Sequence, residues 1–362
     1  MNTLSRRALL NGGLALGAVA LAPRMAAAAD AAAGESATAH SAAAIDPMSL
    51  VAPELRGPLQ YFTAHFPEMK VDAAGLPAMR SMKWAGMPGP AATPAWERRL
   101  VPGSKGAPQV PVYVINAQPP GSGKPALLHI HGGGFVAGNA ESNIPQLQAV
   151  ARDHDCVVVS VEYRLAPETP FPGSLEDNYA ALRWLHSNAG SLGADAARIA
   201  VMGESAGGGH AAMLAIAVRD RREFTLRGQI LIYPMLDDRT ASTRVVPAAI
   251  GQFIWKREAN RFGWTSLLGV PAGSRRVPAG AVPARVADLA GLPPTFVGVG
   301  AIDLFVEEDI QYAQRLVAAG VPTELVVIPG AYHGFDIFVA DSPQAKLFRS
   351  AWNEALARAF AA

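Results

Sequence analysis

The 362-residue chain has few charged side chains, almost no net charge and a single cysteine. Asp, Glu, Lys and Arg make up 17% of the residues and sum to a formal charge of +1, which gives no support to a nucleic-acid partner. The lone Cys156 excludes an intramolecular disulfide. Because it opens the apolar run 156–159, it is interpreted as a buried core thiol. Half of the residues are hydrophobic, so we expect a globular protein with a large core.

A hydrophobic run long enough for a stable membrane span is missing from the N-terminus. Residues 5–10 (Ser-Arg-Arg-Ala-Leu-Leu) resemble a twin-arginine export motif, and the uncharged stretch that follows is short and interrupted by glycines. Small residues at 25–29 suit a signal peptidase. We therefore predict an export signal over residues 1–29, a low-complexity linker over 30–45, and a periplasmic or secreted mature protein.

The rest of the chain, residues 46–362, alternates apolar segments with amphipathic ones. Strands are predicted at 110–115, 126–130, 157–161, 198–202, 229–233, 295–299 and 325–328. Helices are predicted at 145–154, 175–187, 210–218, 307–319 and 343–360. This alternation predicts an α/β fold with a largely parallel sheet that is covered by helices on both faces. Pro111 predicts an edge position for its strand, because proline cannot donate a ladder hydrogen bond.

A serine lies in a turn motif between a predicted strand and a predicted helix. Gly203-Glu204-Ser205-Ala206-Gly207 follows the strand at 198–202. Glycines on both sides of the serine let the backbone turn tightly, so that the Ser205 hydroxyl stands exposed at a helix N-terminus. The free N–H groups there favour developing negative charge. The pattern therefore predicts a nucleophilic serine.

A serine nucleophile needs a base within hydrogen-bond reach and a carboxylate that orients the base. His333 and Asp303 each come shortly after a predicted strand. Because the loops after parallel strands collect at one edge of a sheet, we expect both near Ser205. Asp303 is favoured as the carboxylate because it lies closest to its strand. The acids that come next in the chain compete for this role: Glu307, Glu308 and Asp309.

Acyl transfer also needs hydrogen-bond donors for the oxyanion. Gly132, Gly133 and Gly134 follow a predicted strand, and they can bring backbone N–H groups close because they carry no side chain. Ala206, directly after the serine, would supply another N–H from the helix start.

The histidines beside this glycine loop raise the alternative of a metal site. His129 and His131 form a His-x-His pair, but no Asp-His follows and the only cysteine is distant. The pattern therefore favours neither a metal nor another cofactor. We interpret His131 as a brace for the glycine loop.

Four motifs follow one another along the chain: His131–Phe135 (His-Gly-Gly-Gly-Phe), Tyr163–Glu168 (Tyr-Arg-Leu-Ala-Pro-Glu), Gly203–Gly208 (Gly-Glu-Ser-Ala-Gly-Gly) and His333–Phe335 (His-Gly-Phe). In this order and spacing they resemble the hormone-sensitive lipase family of α/β-hydrolases, in its bacterial esterase/lipase branch. The resemblance covers about Val110 to the C-terminus. This chain has Glu204 where the family often has Asp, and Leu304 where it usually has Pro.

The resemblance implies an α/β-hydrolase fold with a helical cap, here at about 46–90 and 237–268. It implies that Ser205 is the nucleophile, His333 the base and then the acid, and Asp303 the orienting carboxylate. Gly133, Gly134 and Ala206 would form the oxyanion hole.

The expected function is an exported serine carboxylesterase that acts on short- to medium-chain esters, as a monomer or homodimer without a cofactor. An amidase or deacetylase could use the same residues. A non-catalytic ligand-binding protein of this fold is the alternative from another class, and the presence of His333 argues against it.

Overall fold

The computed structural model describes residues 45–65, 70–81 and 89–361. The predicted export signal, nearly all of the predicted linker and parts of the first predicted cap segment lie outside the described residues.

The described chain contains an eight-stranded sheet in the order β1-β2-β4-β3-β5-β6-β7-β8. The strands are β1 (Trp96–Val101), β2 (Val110–Ile115), β3 (Lys124–Ile130), β4 (Val157–Val161), β5 (Ala194–Glu204), β6 (Gly228–Ile232), β7 (Thr295–Gly300) and β8 (Thr323–Ile328). All neighbours from β4 to β8 run parallel, whereas β2 is antiparallel to both β1 and β4. The predicted, mostly parallel sheet is confirmed.

The helices lie between these strands and at both ends of the described chain. They are α1 (Pro53–His65), α2 (Leu76–Ser81), α3 (Ile144–Asp153), α4 (Gly173–Asn188), α5 (Ala206–Arg221), α6 (Arg257–Leu268), α7 (Val306–Ala318), α8 (Phe335–Phe338) and α9 (Pro343–Ala361). Helices α4 and α5 contribute to the core on one face of the sheet, and α3 and α9 to the core on the other. Strand β3 supplies both cores, because successive side chains of a strand point to opposite faces: Leu128 enters the first and Leu127 the second.

The prediction of an edge strand at Pro111 is wrong, since β2 lies between β1 and β4. The proline is accommodated because it faces Glu162, one residue beyond the end of β4. The Glu162 N–H donates to the Pro111 carbonyl at 3.0 Å. The hydrogen bond for which proline has no N–H would lie beyond the last pair of the β2–β4 ladder, Val112 and Val161. The edge strand on this side of the sheet, β1, was not predicted.

The parallel arrangement brings four loops to one edge of the sheet. The loops after β3, β5, β7 and β8 begin at the carboxyl ends of parallel strands, and such ends meet at the same edge. Two of these loops are tied together directly, since the Ile302 N–H donates to the Ala331 carbonyl at 3.1 Å. No helix in the described ranges is both long and apolar enough to cross a membrane.

Candidate active site

Ser205 occupies a strained turn between β5 and α5. Its backbone angles are φ 57° and ψ −122°, a conformation that costs energy for a residue with a side chain. Neighbouring glycines make the turn possible: a Cβ on Gly203 would lie 2.3 Å from the backbone of Gly207, and one on Gly207 would lie 2.0 Å from the Ile130 carbonyl oxygen. The Ser205 N–H donates to the Ile232 carbonyl at 2.8 Å. The turn is thus fixed from both neighbouring strands.

Three side chains predicted from separate loops form one hydrogen-bonded chain. His333 Nε2 lies 2.9 Å from Ser205 Oγ, and His333 Nδ1 lies 2.8 Å from Asp303 Oδ2. All three residues are buried, with exposures of 8% for Ser205, 6% for His333 and 1% for Asp303. An ionised Asp303 accepts from Nδ1–H, which leaves Nε2 free to accept from the serine hydroxyl. The geometry suits proton transfer from serine to histidine.

The loop that holds Asp303 is fixed without the proline that is usual at the next position. Asp303 Oδ1 accepts the N–H of Phe305 at 3.0 Å, so the carboxylate also closes its own turn. Leu304 is buried and packs against Gly251, where a Cβ would lie 2.6 Å from the leucine side chain. Hydrogen bonding and packing therefore hold the carboxylate that faces His333.

The competing acids after Asp303 point elsewhere. Glu308 is buried and accepts the N–H groups of Leu236 and Asp237, at 2.7 and 3.1 Å. Burial raises the pKa of Glu308 and of Asp309 well above the usual carboxyl values, and nearby carboxylates add to both shifts. The carboxylate that meets His333 Nδ1 is that of Asp303 and not that of Glu308 or Asp309.

The glycine loop after β3 lies directly beside the serine. A Cβ on Gly132 would be 3.4 Å from the Ser205 Cβ and 2.9 Å from the Glu204 carbonyl oxygen. Gly133 has φ 119° and would clash with Ala137, and Gly134 has φ 63° and would clash with the Trp255 ring. Each glycine is thus required by a close approach. The loop can present backbone N–H groups near the serine because no side chain intervenes.

His131 supports this loop, as its position suggested. Its Nδ1–H donates to the Gly132 carbonyl at 2.8 Å, and its ring stacks on Tyr163 with 4.2 Å between the centroids. The Tyr163 hydroxyl donates to the His131 carbonyl at 2.9 Å. Burial lowers the pKa of His131 to about 3, so the ring stays neutral at physiological pH. Within the described ranges, no group of three or more His, Cys, Asp or Glu side chains is arranged to hold a metal ion.

Residues of both predicted cap segments lie near the glycine loop or the residue before His333. Trp255, in the segment 237–268, lies so close to Gly134 that a Cβ there would be 2.1 Å from its ring. A cavity of about 370 Å³ lies between α1, Ile254, Tyr332 and Phe338. Tyr332 directly precedes His333, so the cavity begins next to the histidine loop. Its lining is apolar except for tyrosines, which suits an uncharged organic group.

Comparison with known proteins identifies the family. A family model described as an α/β-hydrolase fold matches residues 127–337. This range contains Ser205, Asp303, His333 and the glycine loop. Carboxylesterase NlhH of Mycobacterium tuberculosis is 34% identical over 249 residues, which cover 69% of this chain and 78% of that protein. The chain belongs to the hormone-sensitive lipase family of α/β-hydrolases. Within this family it resembles the bacterial esterases.

Further members of this family agree with the assignment. Ethyl acetate hydrolase of Pseudomonas putida is 35% identical over 216 residues, which cover 58% of this chain and 65% of that protein. The solved structure of a bacterial heroin esterase matches with a TM-score of 0.72 at 35% identity, over 87% of this chain and 99% of its own. The predicted α/β-hydrolase fold is confirmed, and this hormone-sensitive lipase family member is a carboxylic ester hydrolase.

One set of buried, hydrogen-bonded side chains was not predicted from the sequence. His129 Nε2–H donates to Glu204 Oε2 at 2.9 Å, and His129 Nδ1 accepts from Ser160 Oγ at 2.9 Å. This set joins β3, β4 and β5 beneath the serine turn, and it anchors the residue that precedes Ser205. The His-x-His pattern raised the alternative of a metal site, but His129 bonds to a carboxylate and a hydroxyl.

Proposed function

We propose that this protein hydrolyses short- to medium-chain carboxylic esters through an acyl-enzyme intermediate, with Ser205 as the nucleophile. The observation that carries the proposal is the continuous hydrogen-bonded chain from Asp303 through His333 to Ser205. His333 takes the hydroxyl proton as the serine oxygen attacks the ester carbonyl, and Asp303 stabilises the imidazolium. His333 then gives the proton to the leaving alcohol. In the second half, His333 activates a water that releases the acid and restores the serine.

The oxyanion of each tetrahedral intermediate is bound by backbone N–H groups of Gly133, Gly134 and Ala206. The position of the glycine loop beside Ser205 supports this role, as does the location of Ala206 at the first position of α5. Removing one such donor in a comparable enzyme costs about a hundred- to a thousandfold in kcat. Gly132, which lies nearest to the serine side chain, keeps the approach open.

The proposed preference for small esters is supported by one of the relatives. Ethyl acetate hydrolase is among the similar proteins, and its name denotes a short acyl group and a short alcohol.

The experiment is hydrolysis of p-nitrophenyl esters of rising acyl length by the wild type and by Ser205→Ala. The substitution should lower kcat by about a millionfold, because it removes the nucleophile. Ser174→Ala is the matched control: Ser174 is also buried, on α4, and its hydroxyl has no hydrogen-bond partner among the described residues. This control should keep wild-type activity. When the wild type is incubated with p-nitrophenyl acetate and then quenched with acid, mass spectrometry should detect one acetyl group on Ser205.

Two outcomes would contradict the proposal. Full activity in Ser205→Ala would exclude Ser205 as the nucleophile. A wild type that leaves every ester intact but cleaves an anilide or an acetylated sugar would move the assignment to an amidase or a deacetylase.

We also propose that the protein is exported through the twin-arginine pathway, on the basis of the motif around Arg6 and Arg7. Replacing both arginines by lysine should retain the protein in the cytoplasm, because that pathway reads the arginine pair. Arg24→Lys, which keeps the pair, is the control and should be exported. A wild-type protein that stays in the cytoplasm with Met1 intact would refute export.

A further inference from the structure

A tyrosine and an aspartate outside the proposed triad lie behind His333. Tyr233 directly follows β6, and Asp336 lies in α8, three residues after His333. The Tyr233 hydroxyl donates to Asp336 Oδ1 at 3.0 Å. The Tyr233 ring in turn contacts the His333 ring edge-on, with 4.9 Å between the centroids and 64° between the planes. The Asp336 carboxylate thus contacts the Tyr233 phenol, which in turn contacts the His333 imidazole.

The Tyr233 ring is held in place from several directions. Its backbone has φ 35°, in the left-handed region, and its N–H donates to the Gly298 carbonyl at 2.6 Å. The side chain is 2% exposed, and its ring stacks near Phe348. On another side, the Phe305 ring meets His333 at 5.2 Å, nearly perpendicular. The imidazole therefore contacts two aromatic rings, those of Tyr233 and Phe305. Of these, Tyr233 carries a hydroxyl group, which is bound to a carboxylate.

From this arrangement we propose that Tyr233 and Asp336 are positioning residues for His333. The Asp336 carboxylate orients the phenol, the phenol ring limits rotation of the imidazole away from Ser205, and the carboxylate adds negative charge behind the imidazolium that forms during catalysis. The inference rests on the proposed function, because it assigns His333 the role of proton acceptor. Both residues are proposed to act through His333 rather than through contact with the substrate.

Burial and the polar and charged groups around Asp336 determine at which pH that negative charge is present. Burial raises the pKa of Asp336 to about 6, with a contribution from the nearby Glu204, while the Tyr233 hydroxyl and Arg349 oppose the rise. Glu204 is itself bound to His129, and Asp303 lies on the opposite ring nitrogen of His333. Asp336 is therefore mostly ionised above about pH 6, the range in which a histidine base is unprotonated and active.

The test is the pH profile of kcat/KM for p-nitrophenyl acetate in Asp336→Asn, Asp336→Glu and Tyr233→Phe. Asp336→Asn keeps an acceptor for the phenol but removes the charge. It should lower the plateau by about three- to tenfold and move the acid limb to lower pH by several tenths of a unit, because protonation of His333 loses a stabilising charge. Asp336→Glu should restore both. Tyr233→Phe should lower kcat by about threefold and leave KM unchanged.

A purely structural role would give a different result. If Asp336→Asn lowered only the melting temperature and kept the wild-type acid limb, the proposal would be overturned. If this variant failed to fold, Asp336→Glu and Tyr233→Phe would decide. Wild-type kcat in Tyr233→Phe, or loss of activity in Asp336→Glu with an unchanged acid limb, would refute the positioning role.

A second readout separates failure of this inference from failure of the proposed function. The His333 ring carbon can be followed by NMR in Ser205→Ala, with and without Asp336→Asn, and assigned with His333→Gln. The titration midpoint of His333 should move to lower pH when Asp336 is replaced, whether or not the chain hydrolyses any ester. Identical titration curves would overturn the inference even if the esterase activity were established.

Discussion

Replacing His210 by leucine should make the stability of this protein less sensitive to acid. His210 lies in α5, five positions after Ser205, and is 1% exposed. Its ring packs edge-on against Phe135 and Tyr163, at centroid distances of 5.0 and 4.8 Å. Neither ring nitrogen has a hydrogen-bond partner within the described ranges. Burial, together with a smaller effect of the neighbouring His131, lowers the pKa of His210 to about 3.

The sign and size of the effect follow from the difference between folded and unfolded chains. The unfolded histidine binds a proton below its ordinary pKa of 6.5, whereas the folded one stays neutral down to about pH 3. The stabilising contribution of the neutral residue is complete above pH 6.5 and is lost as the pH falls towards 3. Between about pH 7.5 and about pH 5 this loss is about 2 kcal/mol for one such histidine.

Urea unfolding, followed by tryptophan fluorescence at both pH values, measures this difference. The free energy of unfolding of the wild type should fall by about 2 kcal/mol more than that of His210→Leu over this interval. The absolute stability of the variant does not enter, because only the change with pH is compared. His65→Gln, which removes an exposed histidine, is the control and should behave like the wild type. An equal fall in His210→Leu and wild type would refute the reasoning.

Two further predictions concern a tightly packed glycine and a buried cysteine. Gly134→Ala places a Cβ 2.1 Å from the Trp255 ring at φ +63°, so it should lower kcat/KM at least about tenfold and the free energy of unfolding by about 2 kcal/mol. Gly190→Ala meets no atom within 4 Å and should leave both unchanged; equal effects would contradict the packing argument. Burial raises the pKa of Cys156 to about 12, so dithionitrobenzoate should label it only after denaturation. Rapid labelling of the native chain would contradict a buried, protonated thiol.

The strands that the sequence predicted best are those buried on both faces. Strand β4 (Val157–Val161) has all five residues buried, and its uninterrupted apolar run predicted the same bounds. Because parallel strands place their following loops at one edge, Ser205, Asp303 and His333 could be expected together without knowledge of the register. Loop position and residue chemistry were sufficient for these three.

Strand β1 was not predicted because it lies at the edge of the sheet and is largely exposed. Its sequence, Trp-Glu-Arg-Arg-Leu-Val, buries only Val101 fully, so it lacks the hydrophobic pattern that identifies a strand. Its partner β2 was misinterpreted as the edge for a related reason. Pro111 excludes one ladder hydrogen bond, but only the register shows that this bond falls beyond the end of β4.

Contacts between side chains of different strands also escaped prediction. His129 meets Ser160 because they are paired in the register of β3 and β4, and nothing in either segment alone specifies that register. Tyr233 and Asp336 are 103 residues apart in sequence, and each follows a different strand. Such pairs depend on how loops fold after the strands have assembled, which single-sequence patterns do not encode.

The strand order makes esterase activity a reporter of the completed sheet in a refolding chain. His333 follows Ser205 by 128 residues, and two further strands, β7 and β8, must add to the growing sheet before the base reaches the serine. The serine turn and the glycine loop contact β3, β5, β6 and the Trp255 ring. The return of esterase activity in a refolding chain thus times the docking of the C-terminal strands.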